Sequence, residues 1–252
     1  MKILSLLITT LFIGGFTGWF LNSEQPQNNQ QHTSTEPLVF EEDSLPVAKD
    51  FVSLRPELND LPIESLSEAE LAGLLYMREE EKLARDVYLT LYDIWGLQIF
   101  SNIAQSEQTH TEAMRDLLVK YNVADPVTDN SVGVFTNQEL QNLYNQLTTQ
   151  GVISLEEALT VGVIIEELDI RDIQAEINQT DNADIVLVYE NLLRGSRNHL
   201  RSFMSQLESQ GGTYEPQYIS ITEFDQIKAS DKETGRPNKG GNDSGNGQGR
   251  SN

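Results

Sequence analysis

The sequence feature that most restricts the fold is a series of long segments in which apolar residues recur every three or four positions. That spacing is the period of an amphipathic α-helix. Capping-box patterns open two of these segments, at Ser67-Glu68-Ala69-Glu70 and at Ser154-Leu155-Glu156-Glu157. Four long helices are predicted over about 67–94, 97–120, 154–179 and 183–210, with a short one over about 136–151. The sequence therefore predicts an all-α fold, an up-down four-helix bundle with a short extra helix between helices 2 and 3.

The regions flanking these helices have compositions that do not suit a packed core. Residues 1–22 are mainly apolar and are predicted to be a signal peptide or an uncleaved signal anchor. Residues 23–64 are polar and acidic, and residues 228–252 are rich in Gly and Asn, so a flexible linker and a disordered tail are predicted. The bundle is expected over 65–227, where the weak alternation of 218–224 predicts an extended strap. An exported protein of the periplasm, cell envelope or extracellular space is expected.

Composition narrows the chemistry that such a bundle could support. The 252 residues carry 39 acidic and 17 basic side chains, and the net charge of −22 argues against a nucleic-acid partner, which needs clustered Lys and Arg. The chain has no cysteine, so disulfides, thiolate metal sites and cysteine nucleophiles are excluded. A bound metal would have oxygen and imidazole ligands, which suit iron, manganese or zinc. An ordinary hydrolase is less attractive, because no nucleophile elbow or phosphate loop is visible.

The first predicted helix places acidic residues on faces that are otherwise apolar. Glu81 lies in one apolar stripe and Glu80 lies in the neighbouring stripe. A buried carboxylate is costly unless it is paired or bound to a metal, so one of the two is a candidate ligand, with Glu81 preferred. The alternative is that residues 79–81 form a solvated charge run paired with nearby Arg and Lys side chains.

The second predicted helix carries the clearest ligand pair. Glu107 and His110 are three positions apart and therefore share a helix face, which apolar residues continue. A Glu-x-x-His pair on the inner face of a bundle helix is how di-metal carboxylate bundles bind metal. The motif is short and also occurs by chance, and a lone histidine on such a face is more often a satisfied core residue.

The third and fourth helices add further candidates. Glu166 lies on the apolar side of helix 3 with Asp169 one turn later, and Glu167 falls on a more polar line but remains an alternative to Glu166. The alternative without a metal site is an amphipathic helix with an acidic patch. His199 lies on the inner face of helix 4, so two of the three histidines are on bundle faces. The predicted metal ligands are Glu81, Glu107, His110, Glu166, Asp169 and His199.

The order of these residues resembles the ligand order of the ferritin-like superfamily, including rubrerythrin and bacterioferritin. The matching motifs are Glu81…Tyr88, Glu107-Gln-Thr-His110, Glu166-Glu-Leu-Asp169 and His199. Over about residues 66–227 the chain is more similar to the uncharacterised ferritin-like family DUF2202. That similarity lies in Met77-Arg-Glu-Glu-Glu-Lys-Leu-Ala-Arg-Asp-Val-Tyr88, Ile165-Glu-Glu-Leu-Asp-Ile170 and Tyr189-Glu-Asn-Leu-Leu-Arg-Gly-Ser-Arg-Asn-His-Leu200. The resemblance implies iron, as a pair or as a single ion, or manganese as the cofactor.

The fourth helix departs from the superfamily pattern. Ser196 stands three positions before His199, where the superfamily has a glutamate. A six-ligand di-iron site therefore lacks one ligand, for which Asp169 could compensate as the second carboxylate of helix 3.

Two functions are expected from this resemblance. The first is an exported metal-binding protein with oxidase, peroxidase or ferroxidase-type redox activity. The alternative is a non-catalytic helical module of the envelope with a degenerate metal site. The partners considered are metal ions, a membrane reached through residues 3–21, and a second copy of the chain in a homodimer.

Overall fold

The computed structural model describes residues 55–234, and every regular element in this range is helical. The six main helices are α1 (Glu68–Trp95), α2 (Gln98–Lys120), α3 (Gln138–Gly151), α4 (Leu155–Ile177), α5 (Ala183–Ser209) and α6 (Ile221–Ala229). A short helical segment at 55–60 precedes them. Residues 55–234 contain no strand, so the all-α prediction is confirmed.

The helix boundaries follow from local capping chemistry. The Ser67 backbone N–H donates to the Glu70 carboxylate at 2.8 Å, and the Ser67 hydroxyl accepts from the Glu70 N–H, so the predicted capping box is present. Helix α1 ends at Gly96, whose φ of 63° lies in the left-handed region that glycine tolerates. Because only two residues separate α1 from α2, these helices run antiparallel.

Four long helices enclose the core. Helix α1 packs mainly on α2, and α4 packs mainly on α5; α1 also contacts α4, and α2 contacts α5. The short α3 lies against α1 and α4, and α6 lies against α5. In the interior Tyr88 from α1, Phe100 from α2 and Phe203 from α5 are all fully buried, with ring centroids 5.0–6.5 Å apart. Gly162 of α4 lies against Phe203, so residues of all four long helices meet here.

The loop before α3 is fastened to α1 by a buried ion pair. The Lys82 ammonium lies 2.5 Å from the Asp86 carboxylate, and both side chains are fully buried. Lys82 also donates to the carbonyl oxygens of Ser131 at 2.9 Å and Val134 at 3.1 Å. The Asp86 carboxylate in turn accepts the Gly133 N–H at 2.9 Å. This network fixes the orientation of α1 and therefore of the other charged side chains on it.

The predicted ends of the domain need correction. Residues 221–229 form α6 and not part of an extended strap, because Ser220 caps this helix by accepting the Glu223 N–H at 3.2 Å. The predicted boundary at 227 therefore falls inside a helix. Beyond it, Glu233 is held in ion pairs by Arg197 and Arg201 of α5.

The predicted linker also reaches too far into the folded part. Leu58 is buried, and the Lys120 ammonium donates to the carbonyl oxygens of Leu58 at 2.7 Å and Leu61 at 3.0 Å. Residues 55–61 therefore pack on α2 and belong to the domain. The predicted signal segment 1–22 and most of the linker lie outside the described residues. None of the helices between residues 55 and 234 combines the length and the apolar character that a membrane span requires.

Candidate metal centre

A continuous run of charged residues on α1 is buried. Every residue from 78 to 86 is at most 5% exposed, so the alternative of a solvated charge run is wrong. Glu79 accepts the N–H groups of Thr136 at 2.6 Å and Asn137 at 3.0 Å, which places it at the start of α3. Its neighbours Glu80 and Glu81 point elsewhere, and only Glu81 joins histidine.

The first ligand group consists of Glu81, Glu107 and His110. The Nδ1 atom of His110 lies 3.2 Å from Oε2 of Glu81 and 2.7 Å from Oε2 of Glu107. Glu107 and His110 meet because a three-residue spacing puts them on one face of α2. Helix α1 brings Glu81 to that face, and all three residues are buried.

The second ligand group consists of Glu107, Glu166 and His199. The Nδ1 atom of His199 lies 2.7 Å from Oε1 of Glu107 and 3.5 Å from Oε2 of Glu166. These residues come from α2, α4 and α5, and all are buried. Since Glu107 presents one oxygen to each histidine, it belongs to both groups. The two imidazole rings are stacked with centroids 5.6 Å apart.

The donor atoms fit a metal better than they fit one another. Both oxygens of Glu107 and Nδ1 of His199 approach to 2.7 Å, yet their orientations do not meet hydrogen-bond geometry. One oxygen each of Glu81 and Glu166 is also buried without a hydrogen-bond partner. Metal bonds to nitrogen and oxygen are about 2.0–2.2 Å, so two ligands of one ion lie roughly 3 Å apart. The observed nitrogen–oxygen separations bracket that value.

The electrostatics of the centre are those of closely packed, buried ions. Burial raises the pKa of Glu81 to about 7, although the adjacent His110 lowers it. For Glu107, burial opposes ionisation, but the charges of His110 and His199 outweigh it and lower the pKa. Burial lowers the pKa of His199, but the charges of Glu107 and Glu166 outweigh burial and raise this pKa to about 9. The pKa of His110 is raised well above its ordinary value in the same way, mainly by Glu107.

Not every predicted ligand joins the two groups. Asp169 is 1% exposed and has one oxygen without a partner, but it lies outside both groups. Glu167 accepts the N–H groups of Gln217, Tyr218 and Ile219 as well as the Tyr214 hydroxyl. It therefore anchors the segment before α6, and Glu166 is the residue that faces histidine.

Two residues outside the predicted ligand set support the site. The Tyr88 hydroxyl donates to Oε1 of Glu166 at 2.5 Å, the oxygen not turned towards His199. Nε2 of His199 is hydrogen-bonded to the Ser106 hydroxyl at 2.9 Å, which fixes the ring. Tyr88 is expected near the site from its seven-residue spacing after Glu81, whereas nothing in the sequence distinguishes Ser106 from any other helix serine.

Two small residues of α5 shape the remaining wall of the centre. Ser196 is buried, and its hydroxyl donates to the Leu192 carbonyl oxygen at 3.1 Å, so it points back along the helix. At Gly195, a Cβ atom would lie 2.5 Å from Cε1 and 2.6 Å from Nε2 of His110. Glycine at this position is therefore what allows the His110 ring to lie against α5.

Fold and site together define an all-helical protein with a buried cluster of carboxylates and imidazoles. The family model described as "Uncharacterized protein domain (DUF2202)" matches residues 70–231, and the chain belongs to this family. The chain is 54% identical over 178 residues to the uncharacterized protein MJ0754 of Methanocaldococcus jannaschii, covering 71% of this chain and 96% of that protein. The crystal structure of hypothetical protein MJ0754 from Methanococcus jannaschii matches with a TM-score of 0.68 and 55% identity, over 69% of this chain and 99% of the other.

Proposed function

We propose that this protein binds a pair of iron or manganese ions within a ferritin-like four-helix bundle, with Glu107 as the ligand common to both ions. The observation that carries the proposal is that each oxygen of Glu107 faces a different histidine at 2.7 Å. Glu81 and His110 would complete the first ion's protein ligands, and Glu166 and His199 the second ion's. Each of the four long helices supplies at least one ligand, which supports the ferritin-like assignment.

The donor set favours iron or manganese. It contains three carboxylates, two imidazoles and no sulfur, a mixture that suits ions of intermediate hardness. When bound, such a metal pair supplies one-electron redox chemistry towards oxygen, peroxide or ferrous iron. The chain itself holds a proton between Tyr88 and Glu166 and fixes His199 through Ser106. Tyr88, Phe100 and Phe203 keep bulk water from that side.

Metal analysis of the purified full-length chain after aerobic reconstitution tests the proposal. We expect two iron or manganese ions per chain, and none in the Glu107→Ala/His110→Ala double variant. Equally negligible iron, manganese and zinc in both proteins would overturn it. Oxygen or peroxide consumption by the reduced, loaded protein then tests the redox activity separately.

A second candidate function is a non-catalytic helical module of the cell envelope with a degenerate site. The observation that favours it is the turning of Ser196 towards the Leu192 carbonyl oxygen, which leaves α5 with His199 as its one contribution to the ligand groups. Metal binding without oxygen or peroxide turnover would support this function. Export, a membrane tether through residues 3–21 and a homodimer stay predictions of the sequence.

Metal affinity should rise with pH. In the metal-free protein, the pKa of about 9 keeps His199 protonated at neutral pH, and Glu81, with a pKa of about 7, gains its proton in slightly acidic solution. A metal ion must displace these protons, so each one displaced changes the apparent dissociation constant by about tenfold per pH unit. We expect binding to become tighter from pH 6 to pH 8. In calorimetry, the observed heat of binding should change linearly with the ionisation enthalpy of the buffer, and the slope gives the number of protons released. Affinity independent of pH would contradict this expectation.

Gly195→Ala should weaken the first ligand group selectively. The added methyl group would displace the His110 ring, so we expect roughly a tenfold or greater loss of affinity for one of the two ions. Alanine has the higher helix propensity by about 1 kcal/mol, which offsets part of the steric cost to stability. Gly151→Ala is the matched control, because its Cβ would meet Leu91 and no ligand. If Gly195→Ala bound both ions with the affinities of the unchanged protein, the role of Gly195 in positioning His110 would be contradicted.

A further inference from the structure

Glu80 is a buried carboxylate that the two ligand groups do not use. It is 2% exposed, and its Oε2 atom is buried without a hydrogen-bond partner. Burial, and after it the neighbouring Asp172 side chain on α4, raise the pKa of Glu80, so two acidic groups meet across the interface of α1 and α4. A buried acid placed against another acid is costly unless something positive is shared between them.

Asp172 connects this buried acid with solvent. Its side chain is 20% exposed, and the Arg171 guanidinium holds it from outside with nitrogen–oxygen distances of 2.7 and 2.6 Å. One turn further along α4, Glu176 is close enough to sense the charge of Asp172. The outer end of the interface between α1 and α4 is therefore acidic and open to water.

Asp169 connects Glu80 with the ligand groups. It lies one helical turn before Asp172, so the two share a face of α4. It is 1% exposed and its Oδ2 atom has no partner. Besides burial, the charges acting on Asp169 are, in order, those of Glu81, Glu80, Glu166 and Glu107. Asp169 is thus near both Glu80 and the ligands.

No basic side chain of α1 neutralises this row of acids. The three basic residues near Glu80 in the sequence, Arg78, Lys82 and Arg85, are engaged with Asp86 of α1 itself, with α2 and with the loop before α3. Their side-chain partners beyond α1 are Thr111, Asp125, Gln108 and Asn130. Inward of Arg171, which holds Asp172 at the surface, the interface between α1 and α4 is therefore acidic, with unpartnered oxygens at Glu80 and Asp169.

We propose that Asp172, Glu80 and Asp169 form an uptake route by which a divalent metal ion passes from solvent to the two ligand groups. The inference rests on the proposed function, since the route leads to the proposed metal centre. Each carboxylate offers oxygen ligands that a divalent ion can exchange in turn. The buried acids then have a positive partner during transit, which accounts for their unpartnered oxygens.

Stopped-flow absorbance of full-length protein mixed with Co²⁺ tests the route. Glu80→Gln keeps the shape of the side chain and removes its capacity to ionise and bind a cation, so folding should be unaffected. We expect the binding rate to fall by about tenfold or more, the lower end of the effect of focused charge on association. Release of Co²⁺ to a chelator should slow by the same factor, because a transit site lies on the path in both directions. The equilibrium affinity and the two-ion stoichiometry should then stay unchanged. Asp172→Asn, at the outer end of the route, should also slow both the binding and the release of Co²⁺.

Asp93→Asn is the control, because it removes one exposed carboxylate from α1 away from the route. Its rates should match those of the unchanged protein. Unchanged rates in Glu80→Gln, or a changed affinity with an unchanged release rate, would overturn the route while leaving the metal centre intact. If the unchanged protein takes up no Co²⁺, the proposed function fails and the route fails with it.

Discussion

Replacing Glu107 with glutamine is expected to remove metal binding from both ligand groups at once. Each oxygen of Glu107 faces a different histidine at 2.7 Å, so no other single residue serves both groups. Glutamine keeps the shape but has one oxygen and no charge. We expect metal content to fall from two ions to none, with an affinity loss above about 100-fold, beyond what supporting residues of a metal site typically contribute. Metal analysis after desalting and calorimetric titration measure both quantities.

Variants of the terminal ligands provide the matched comparison. Glu81→Gln and Glu166→Gln should each remove one ion and leave the other, because each residue belongs to one group. In the metal-free Glu107→Gln protein, the pKa of both histidines should fall, since burial would no longer be outweighed by Glu107. NMR titration of the two imidazoles measures that shift. One tightly bound ion retained by Glu107→Gln would show that Glu107 is not shared.

Local patterns were sufficient to predict the helices and the pairing of Glu107 with His110. The capping box at Ser67 and the three-residue spacing of Glu107 and His110 depend on neighbours within one helical turn, so the sequence contains the whole signal. The inward placement of His199 follows from the apolar period of α5. The structure brings these residues together as expected.

Contacts between distant segments could not be predicted in this way. Helix α1 is buried on every side over residues 78–86, so its apolar stripe could not determine where each glutamate points. Glu79 accepts hydrogen bonds from the backbone of Thr136 and Asn137, more than fifty positions away. Glu167 accepts hydrogen bonds from the segment before α6. The close approach of Gly195 to His110 likewise depends on the packing of α5 against α2. Periodicity contains no information about such pairings.

The second large effect is expected at Lys82, which is fully buried on α1. Its ammonium is bound by Asp86 at 2.5 Å and by the carbonyl oxygens of Ser131 and Val134. Lys82→Met removes this cation, and the buried Asp86 carboxylate keeps the Arg85 guanidinium at 2.8 Å and the Gly133 N–H, so the loss should lie at the lower end of the range for a broken buried pair. Removing one partner of a buried ion pair typically costs about 3–5 kcal/mol of unfolding free energy. Chemical denaturation of the metal-free protein should give a loss of that size.

A double-variant cycle separates the ion pair from the loss of packing. Lys82→Met/Asp86→Leu should be more stable than the sum of the two single losses implies, because the interaction between Lys82 and Asp86 is then counted once, while the loss of the Arg85 contact to Asp86 is common to both Asp86→Leu proteins. The exposed pair of Lys228 and Glu208 is the control, and Lys228→Met should cost at most about 1 kcal/mol because solvent screens that pair. If Lys82→Met were no more destabilising than Lys228→Met, the buried pair would not be what fastens the loop before α3 to α1. The loop would then depend on Glu79, whose carboxylate holds the start of α3 from the preceding turn of α1.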